Sequence, residues 1–591
     1  MLMHSTTTAK PTATKSRHLI VCGKGGIGKT SVATNLAEAL TELGQQSAII
    51  GCSPKSSLID LYDLSDLMTP ILDLKRKHGI TAQNIGEVVG RTSTGTLLFE
   101  TGGPEPGVGC AGVGLPTAFD ELQKYKKLID GFESVNYSFY DLIGDVVCGG
   151  FSTPMRGGGR EVLVIISGEL MAVYAGNNIL RAVKALGGNI RVAGLVVNMR
   201  GVAYEQEVVN AFAKRTQVPI LAYIPRDSAT FKQSEQARGT VVGTVPDSPI
   251  AATFREMARR FHTTASEIIP DPIDRYDELY DLYMSVQHDR IEVRDTSGRY
   301  RSEIPPVVVA RETPKRISIY GTGGIGKSTT SANVSAALVL AGEKVFQIGC
   351  DPKHDSIANL CGELKPTILD AIQKQGGARA VGRDLLKSLI FPGVGFEDRL
   401  YGTECGGPVP GKGCAGKGVD LAIKLLEEHQ LPEEYGFTFI VYDVLGDTVC
   451  GGFARPLKLT PQAYVVTSGE VATMTQAMKI AQSIHAASQH GMEVGIGGII
   501  NNMRGIPREA EIVDAVFGAV GLPVIHHIPR SEWVQKAENM RHTVVQAFAD
   551  SDQAEEYREL SRKLRENSAT HTLSREILST REIFAIANRY S

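Results

Sequence analysis

Short apolar runs and longer helical patterns alternate along this chain. HLIVCG (18–23), SAII (47–50), VLVII (162–166) and AGLVVN (193–198) are apolar on consecutive positions, as parallel strands covered on both faces are. RISIYG (316–321), KVFQIG (344–349), FIVYD (439–443), YVVTSG (464–469) and GGIIN (497–501) repeat the pattern. Between them, TSVATNLAEALTELG and STTSANVSAALVLAG have helical periodicity. The alternation predicts an α/β fold built on a mostly parallel sheet flanked by helices.

The two series are one series repeated. Lys29 matches Lys327 at an offset of 298. Asp145 matches Asp447, and Cys148 matches Cys450, at 302. Cys110 matches Cys414, and Asn198 matches Asn502, at 304. Landmarks kept in one order at nearly one offset indicate two homologous domains in tandem, 17–270 and 315–591. The polar segment 271–314 reads as a linker, with DRYDELYDLYMSV forming a short helix inside it. Residues 1–16 are Thr/Lys-rich without an apolar core and read as a disordered tail rather than a transit peptide.

Composition narrows the class. At 591 residues the chain exceeds one core. A net charge of −3 gives no basic field for nucleic acid, and no apolar run reaches membrane-spanning length. Nine cysteines are too few for a disulfide scaffold in so long a chain. Several lie among glycines, which points to thiolate ligands in a reducing, cytoplasmic compartment.

The chemistry sits in three motifs, each present twice. Strand, then GKGGIGKT or GTGGIGKS, then helix is a phosphate-binding loop in its proper context. Gly23, Gly25, Gly26 and Gly28, and their counterparts Gly321, Gly323, Gly324 and Gly326, let backbone N–H groups approach ATP phosphates. Lys29 and Lys327 then meet the β/γ oxygens, and Thr30 and Ser328 reach Mg²⁺. A plain glycine-rich turn would not recur with the same lysine and hydroxyl. Asp141 and Asp443 end apolar strands, where an acid faces the metal. Four residues on, Asp145 and Asp447 are placed to orient or deprotonate a water, although Asp at a turn also serves as a plain cap. Each half has a cysteine in a glycine loop, Cys110 or Cys414, and another three residues past the second acid, Cys148 or Cys450. Two thiolates per half make four together, the ligand count of an iron–sulfur cluster or a zinc site. Cys52 and Cys350 lie on strand ends and read as packing.

KGGIGKT, GCDPKHDS, GGPEPGVGCAG, DVVCGGF, SGELMAVYAGNNI and IPRD resemble the nitrogenase iron protein and its relatives, including reductase subunits of tetrapyrrole biosynthesis. The resemblance covers both halves. It implies two tandem P-loop NTPase domains of the deviant Walker A type, forming an intramolecular pseudo-dimer. It also implies one [4Fe–4S] cluster bridging the halves on Cys110, Cys148, Cys414 and Cys450, with Asp145 and Asp447 as switch acids. Asn198 and Asn502, with the turns at 224–227 and 528–531, match the family's nucleotide-base region.

Two departures fall on one site. In the family the early loop lysine reaches the partner subunit's phosphates. Lys24 therefore serves the second half's nucleotide, while its counterpart Thr322 brings no cation to the first. The family's GCDPKxD is complete in the second half, with Asp351 and Asp355, but Ser53 and Ser57 replace both acids in the first. The resemblance thus implies one competent composite site: Lys327, Ser328, Asp351, Asp355 and Asp443, with Lys24 and Asp145 from the first half. The other site keeps Lys29, Thr30 and Asp141 and binds nucleotide with slow or no hydrolysis. Selected asymmetry and tolerated drift both produce this pattern. Val113 and Lys417 replace the family's docking-face arginine, which gives that face one apolar and one basic side.

The expected function is an ATP-dependent reductase component, monomeric, passing electrons from ferredoxin or flavodoxin to a nitrogenase-like catalytic component. A cofactor-assembly or metal-delivery ATPase is the alternative. A nucleotide switch of the partitioning type needs no paired cysteines and ranks third.

Overall fold

The computed structural model describes residues 16–52, 57–103, 111–142, 161–187, 190–263, 268–287, 304–305, 313–351, 355–407, 415–444, 446 and 451–590. The first half is an eight-stranded sheet in the order β3-β4-β2-β5-β1-β6-β7-β8. Its strands are β1 Arg17–Gly23, β2 Ser47–Gly51, β3 Gly90–Arg91, β4 Leu97–Glu100, β5 Tyr137–Asp141, β6 Glu161–Ile166, β7 Arg191–Asn198 and β8 Ile220–Ile224. The second half repeats it as β11-β12-β10-β13-β9-β14-β15-β16. Those strands are β9 Lys315–Gly321, β10 Val345–Cys350, β11 Phe391–Pro392, β12 Leu400–Glu404, β13 Phe439–Val444, β14 Gln462–Thr467, β15 Gly495–Asn502 and β16 Val524–Ile528. All pairings are parallel except β3 with β4 and β11 with β12, so the mostly parallel α/β fold expected from the sequence is present twice.

The continuous apolar runs follow from this layering. Helices cover both faces of each sheet, so alternate side chains enter different cores. In β1, Ile20 and Cys22 pack on one face and Leu19 and Val21 on the other. The helix Tyr276–Ser285, in the stretch expected to link the halves, buries Leu279 and Tyr283 in the first half's core. Cys52 and Cys350 are buried in the cores, as their strand-end positions predict.

Topology places the phosphate loops. β5 and β6 flank β1 on opposite sides, and β13 and β14 flank β9 in the same way. Chain crossovers leave a crevice at the carboxyl end of such a central strand. The loops at 24–28 and 322–326 emerge there and run into the helices Lys29–Glu42 and Lys327–Leu340. Gly28 and Gly326 cap these helices at φ 96° and 90°, a conformation a side chain would strain.

The halves meet loop to loop. A Cβ on Gly25 would lie 2.8 Å from Gly323 Cα, and one on Gly324 would lie 2.6 Å from Gly25 O. Backbone touches backbone here, so these glycines serve the interface as well as the phosphates. Two seams flank the contact. At one, Arg581 pairs with Asp63 and Asp66 at 2.8 and 3.2 Å, and Lys479 with Asp60 at 3.3 Å. At the other, Tyr280 donates to Asn539 O at 2.8 Å, and Arg541 stacks 3.5 Å over the Tyr280 ring. Arg238 stacks on Phe584 in the same sense. Each half's C-terminal helix is thus covered by an arginine from the other half.

Gly323→Ala would place a Cβ 2.9 Å from Gly25 Cα. We expect a loss of about 1–3 kcal/mol of stability and faster amide exchange at 24–28. Gly518→Ala is the control, because nothing lies within 4 Å of its Cβ at a helix end. Calorimetry and hydrogen exchange on both variants check this.

Candidate functional site

The two loops share a scaffold. Asn198 Nδ2 donates to Ile27 O at 2.7 Å, and Asn502 Nδ2 to Ile325 O at 2.6 Å. Arg200 Nη2 donates to Gly26 O, and Arg504 Nη2 to Gly324 O. Beneath each arginine a buried glutamate gathers backbone N–H groups. Glu205 accepts from Gly168, Arg200 and Gly201, and Glu509 from Gly469, Arg504, Gly505 and Ile506. The turns at 224–227 and 528–531 cap helices: Asp227 accepts from Thr230 N at 3.0 Å, and Ser531 from Trp533 N at 3.2 Å.

The charged groups on this scaffold differ between the halves. Lys327 Nζ lies 2.6 Å from Asp443 Oδ1, and both groups are buried. Burial pulls the Lys327 ammonium down, but Asp443, Asp351 and Asp355 outweigh it and hold it above its ordinary range. The second half therefore brings Lys327, Asp351, Asp355 and Asp443 together, with Ser328 next along the helix. In the first half, Lys29 Nζ donates to Gly23 O at 3.4 Å and Lys24 O at 3.3 Å. Asp141 takes its bond from Thr30 Oγ1 at 2.5 Å instead. Burial pushes the Asp141 carboxyl up, opposed by Thr30 and Lys29. Ser57, the sequence counterpart of Asp355, opens the helix Ser57–Tyr62, whereas Asp355 lies ahead of the helix Ala358–Cys361; Ser53 lies outside the described residues.

The fit to Mg²⁺ can be judged from unused oxygens. Asp141 Oδ1 and Asp443 Oδ2 are buried with no hydrogen-bond partner, one beside each loop. A buried carboxylate oxygen in that condition carries a desolvation penalty that a cation relieves. Both donor sets fit a divalent ion, and the second adds Asp351 and Asp355 nearby.

Lys24 faces across the interface. Its Nζ lies 3.9 Å from Glu169 Oε2, and its charge opposes the effect of burial on Glu538 of the second half. Glu538 in turn accepts from Thr329 Oγ1 at 2.7 Å, one residue past Ser328. The ammonium of Lys24 thus stands toward the second half's nucleotide loop. The matching acids toward the first half's loop are Glu470 and Glu235, with Thr322 where the lysine would be. Surrounding protein and the Glu470 charge push the Glu235 carboxyl up to about 7.

Asp145, Asp447, Cys110, Cys148, Cys414 and Cys450 lie outside the described residues. Helices begin at Ala111, Ala415 and Gly451, the residue after Cys110, Cys414 and Cys450. The partial positive charge of a helix N-terminus favours a thiolate over a thiol. The helices Ala415–Glu428 and Gly451–Leu457 pack together. Among the described residues, no group of three or more His, Cys, Asp or Glu forms a metal site, and no helix is long and apolar enough to cross a membrane.

Sequence reading missed Glu169, Glu538, Arg200, Arg504, Glu205 and Glu509. The signal available was the repeat itself, since Arg200 and Arg504, and Glu205 and Glu509, share the offset of Asn198 and Asn502.

Known proteins match this arrangement one half at a time. The chain is 41% identical over 253 residues to nitrogenase iron protein 2 of Paenibacillus durus, covering 42% of this chain and 83% of that protein. It is 43% identical over 258 residues to nitrogenase iron protein 2 of Rhodobacter capsulatus, covering 43% and 90%. Among solved structures, the cell division ATPase MinD of Pyrococcus furiosus aligns at a TM-score of 0.34 and 20% identity, covering 43% of this chain and 99% of that one. The model of the family described as 4Fe-4S iron sulfur cluster binding proteins, NifH/frxC family, matches twice, at residues 17–289 and 315–591. With the matches spanning nearly the whole sequence, the chain belongs to the NifH/frxC family and carries two of its units in tandem.

Proposed function

We propose that this chain is an ATP-dependent reductase component in which one nucleotide site is competent and the other degenerate. In this reading it takes electrons from ferredoxin or flavodoxin and delivers them to a nitrogenase-like catalytic partner. Cys110, Cys148, Cys414 and Cys450 together hold one [4Fe–4S] cluster, which when bound supplies a one-electron carrier. The observation that carries the reading is the unequal setting of the two loop lysines. Lys327 lies among Asp443, Asp351 and Asp355 with Lys24 opposite, whereas Lys29 lies on loop carbonyls with Thr322 opposite.

The residues of the competent site divide the work. Lys327 and the loop N–H groups bind the β- and γ-phosphates. Asp443, Asp351 and Ser328 would hold Mg²⁺, which supplies charge neutralisation at the phosphates. Lys24 places a second ammonium on the γ-phosphate from across the interface, where it meets charge that grows in the transition state. Asp145 orients the attacking water and takes its proton. The first site has the binding elements Lys29, Thr30 and Asp141 without the acids of the other site or a cation from across. It holds nucleotide and turns it over slowly.

Anaerobic purification, dithionite reduction and EPR test the redox reading. About four irons per chain and a reduced-cluster signal that changes with MgATP are expected for one shared [4Fe–4S] cluster. No iron, or a cluster that transfers readily and ignores nucleotide, overturns it.

Lys24→Ala should lower MgATP hydrolysis by roughly 10³-fold, the usual cost of removing a phosphate-contacting cation. Lys29→Ala should cost at least about tenfold less and abolish one of two nucleotide-binding events seen by calorimetry. Equal losses in the two variants overturn the asymmetric assignment.

Thr322→Lys tests the degenerate side. In the parent, folded Glu235 keeps its proton up to about pH 7, whereas an unfolded glutamate releases it near its ordinary value of 4.5. The folded state binds the extra proton, so this group's contribution falls as pH rises through about 7. A lysine between Glu235 and Glu470 favours the ionised carboxyl. The melting temperature of Thr322→Lys relative to the parent should therefore increase from pH 5.5 to pH 8, as differential scanning fluorimetry across about that range would show.

A further inference from the structure

Glu100 and Glu404 end β4 and β12, and both are fully buried. Each lies in register with a glycine on the next strand, Gly51 on β2 or Gly349 on β10. On the far side of that glycine lies the metal-facing acid, Asp141 or Asp443. The glycine is needed because a Cβ at Gly51 or Gly349 would collide with the glutamate's Oε2.

The other carboxyl oxygen has a specific job. Glu100 Oε1 accepts from Leu58 N at 2.7 Å, and Glu404 Oε1 from Ile357 N at 2.8 Å. These amides lie just past the segments that differ between the halves, Ser53 to Ser57 and Asp351 to Asp355. Oε2 has no partner in either half. The residue after each glutamate ties the same strands together: Thr101 N donates to Gly51 O, and Cys405 N to Gly349 O, both at 2.9 Å. From there the chain runs on toward Cys110 and Cys414.

A carboxyl with one N–H donor, one bare oxygen and a neighbouring aspartate is poorly set to carry charge. Burial pushes Glu100 up to about 8 and Glu404 well above its ordinary range. Such a group works as a neutral acceptor of fixed position. A residue present only to fill space would need no acceptor aimed at one amide, and the same bond would not recur in both halves.

We propose that Glu404, with Glu100 as its first-half counterpart, is a positioning residue for the nucleotide site. It pins the start of the helix Ala358–Cys361, and with it Asp355, to the strand that leads into the Cys414 loop. Its consequence for ATP rests on the reading of that site given above, but its structural effect does not.

The test uses the full chain. Glu404→Ala removes the acceptor, whereas Glu404→Gln keeps an acceptor oxygen on a neutral group of the same size. In Glu404→Ala we expect amide exchange at 355–358 to rise about tenfold and the KM for ATP to rise by a similar factor, with a smaller change in kcat. Glu404→Gln should restore both to within about threefold of the parent. If the alanine variant folds and neither quantity moves, the residue only packs and the proposal falls. If the glutamine variant is as impaired as alanine, an ionised carboxylate is required and the proposal again falls. If alanine prevents folding, exchange in the glutamine variant decides, with parent-like protection supporting the role and lost protection overturning it. Failure of the cluster or of electron delivery, with the exchange result intact, overturns the reductase reading alone.

Discussion

The contact of Gly25 with Gly323 sets the rest of the molecule. Two phosphate loops meet there with no side chains between them. Residues beside this contact lie closer to the opposite loop than residues elsewhere in their own half. Lys24 consequently stands with Glu169 of its own half and near Glu538 of the other. In the assignment proposed above each nucleotide site draws on both halves, so one substitution beside the contact alters one site without touching its neighbour. In that assignment Thr322 impoverishes the first site while the second keeps Lys24.

Electrostatics explain why the sites also differ inside their own halves. A buried lysine is tolerated only when paired. Lys327 is paired with Asp443, and Asp351 and Asp355 add to the field around it. In the proposed site a phosphate over the loop would compete with Asp443 for that ammonium and would free a carboxylate oxygen. In the first half, Thr30 already occupies one oxygen of Asp141, and Lys29 donates to the Gly23 and Lys24 carbonyls while its charge still favours the ionised Asp141. Loops that share GGIGK sit in two fields because Ser53 and Ser57 stand where the second half has Asp351 and Asp355, and because Lys24 has Thr322 as its counterpart.

Much of this was legible in the sequence. Glycine spacing and buried β-branched runs fixed the loops and central strands, because both are local requirements of backbone shape and layer burial. The repeat offset exposed the duplication. Residues whose partners are backbone groups were not legible. Glu205, Glu509, Glu100 and Glu404 bond to N–H groups, so no complementary side chain marks them in the sequence. The helix Tyr276–Ser285 was legible as a helix but not as part of the first half: its aspartates and glutamate give it a linker's composition, yet Leu279 and Tyr283 form an i,i+4 stripe that the first half's core absorbs.

Fusion changes what such an interface must do. Two separate subunits have to find each other, and a substitution in a homodimer appears at both sites at once. A tethered pair meets at high effective concentration, so its seams need not be large or apolar. One seam here is an exposed cluster of Arg581 with Asp63 and Asp66, the kind of ion pair worth about 0–1 kcal/mol per contact. The other is Arg541 stacked on Tyr280, with Tyr280 and Tyr283 donating to Asn539 beside it. Weak and unlike seams around a tight glycine contact favour rotation of the halves about that contact over separation. Rotation would move Lys24 relative to Lys327 more than it would move Lys29 relative to Asp141, since only the first pair spans the interface. In the proposed assignment the asymmetric chemistry and the unlike seams therefore bear on one coordinate, the angle between the halves.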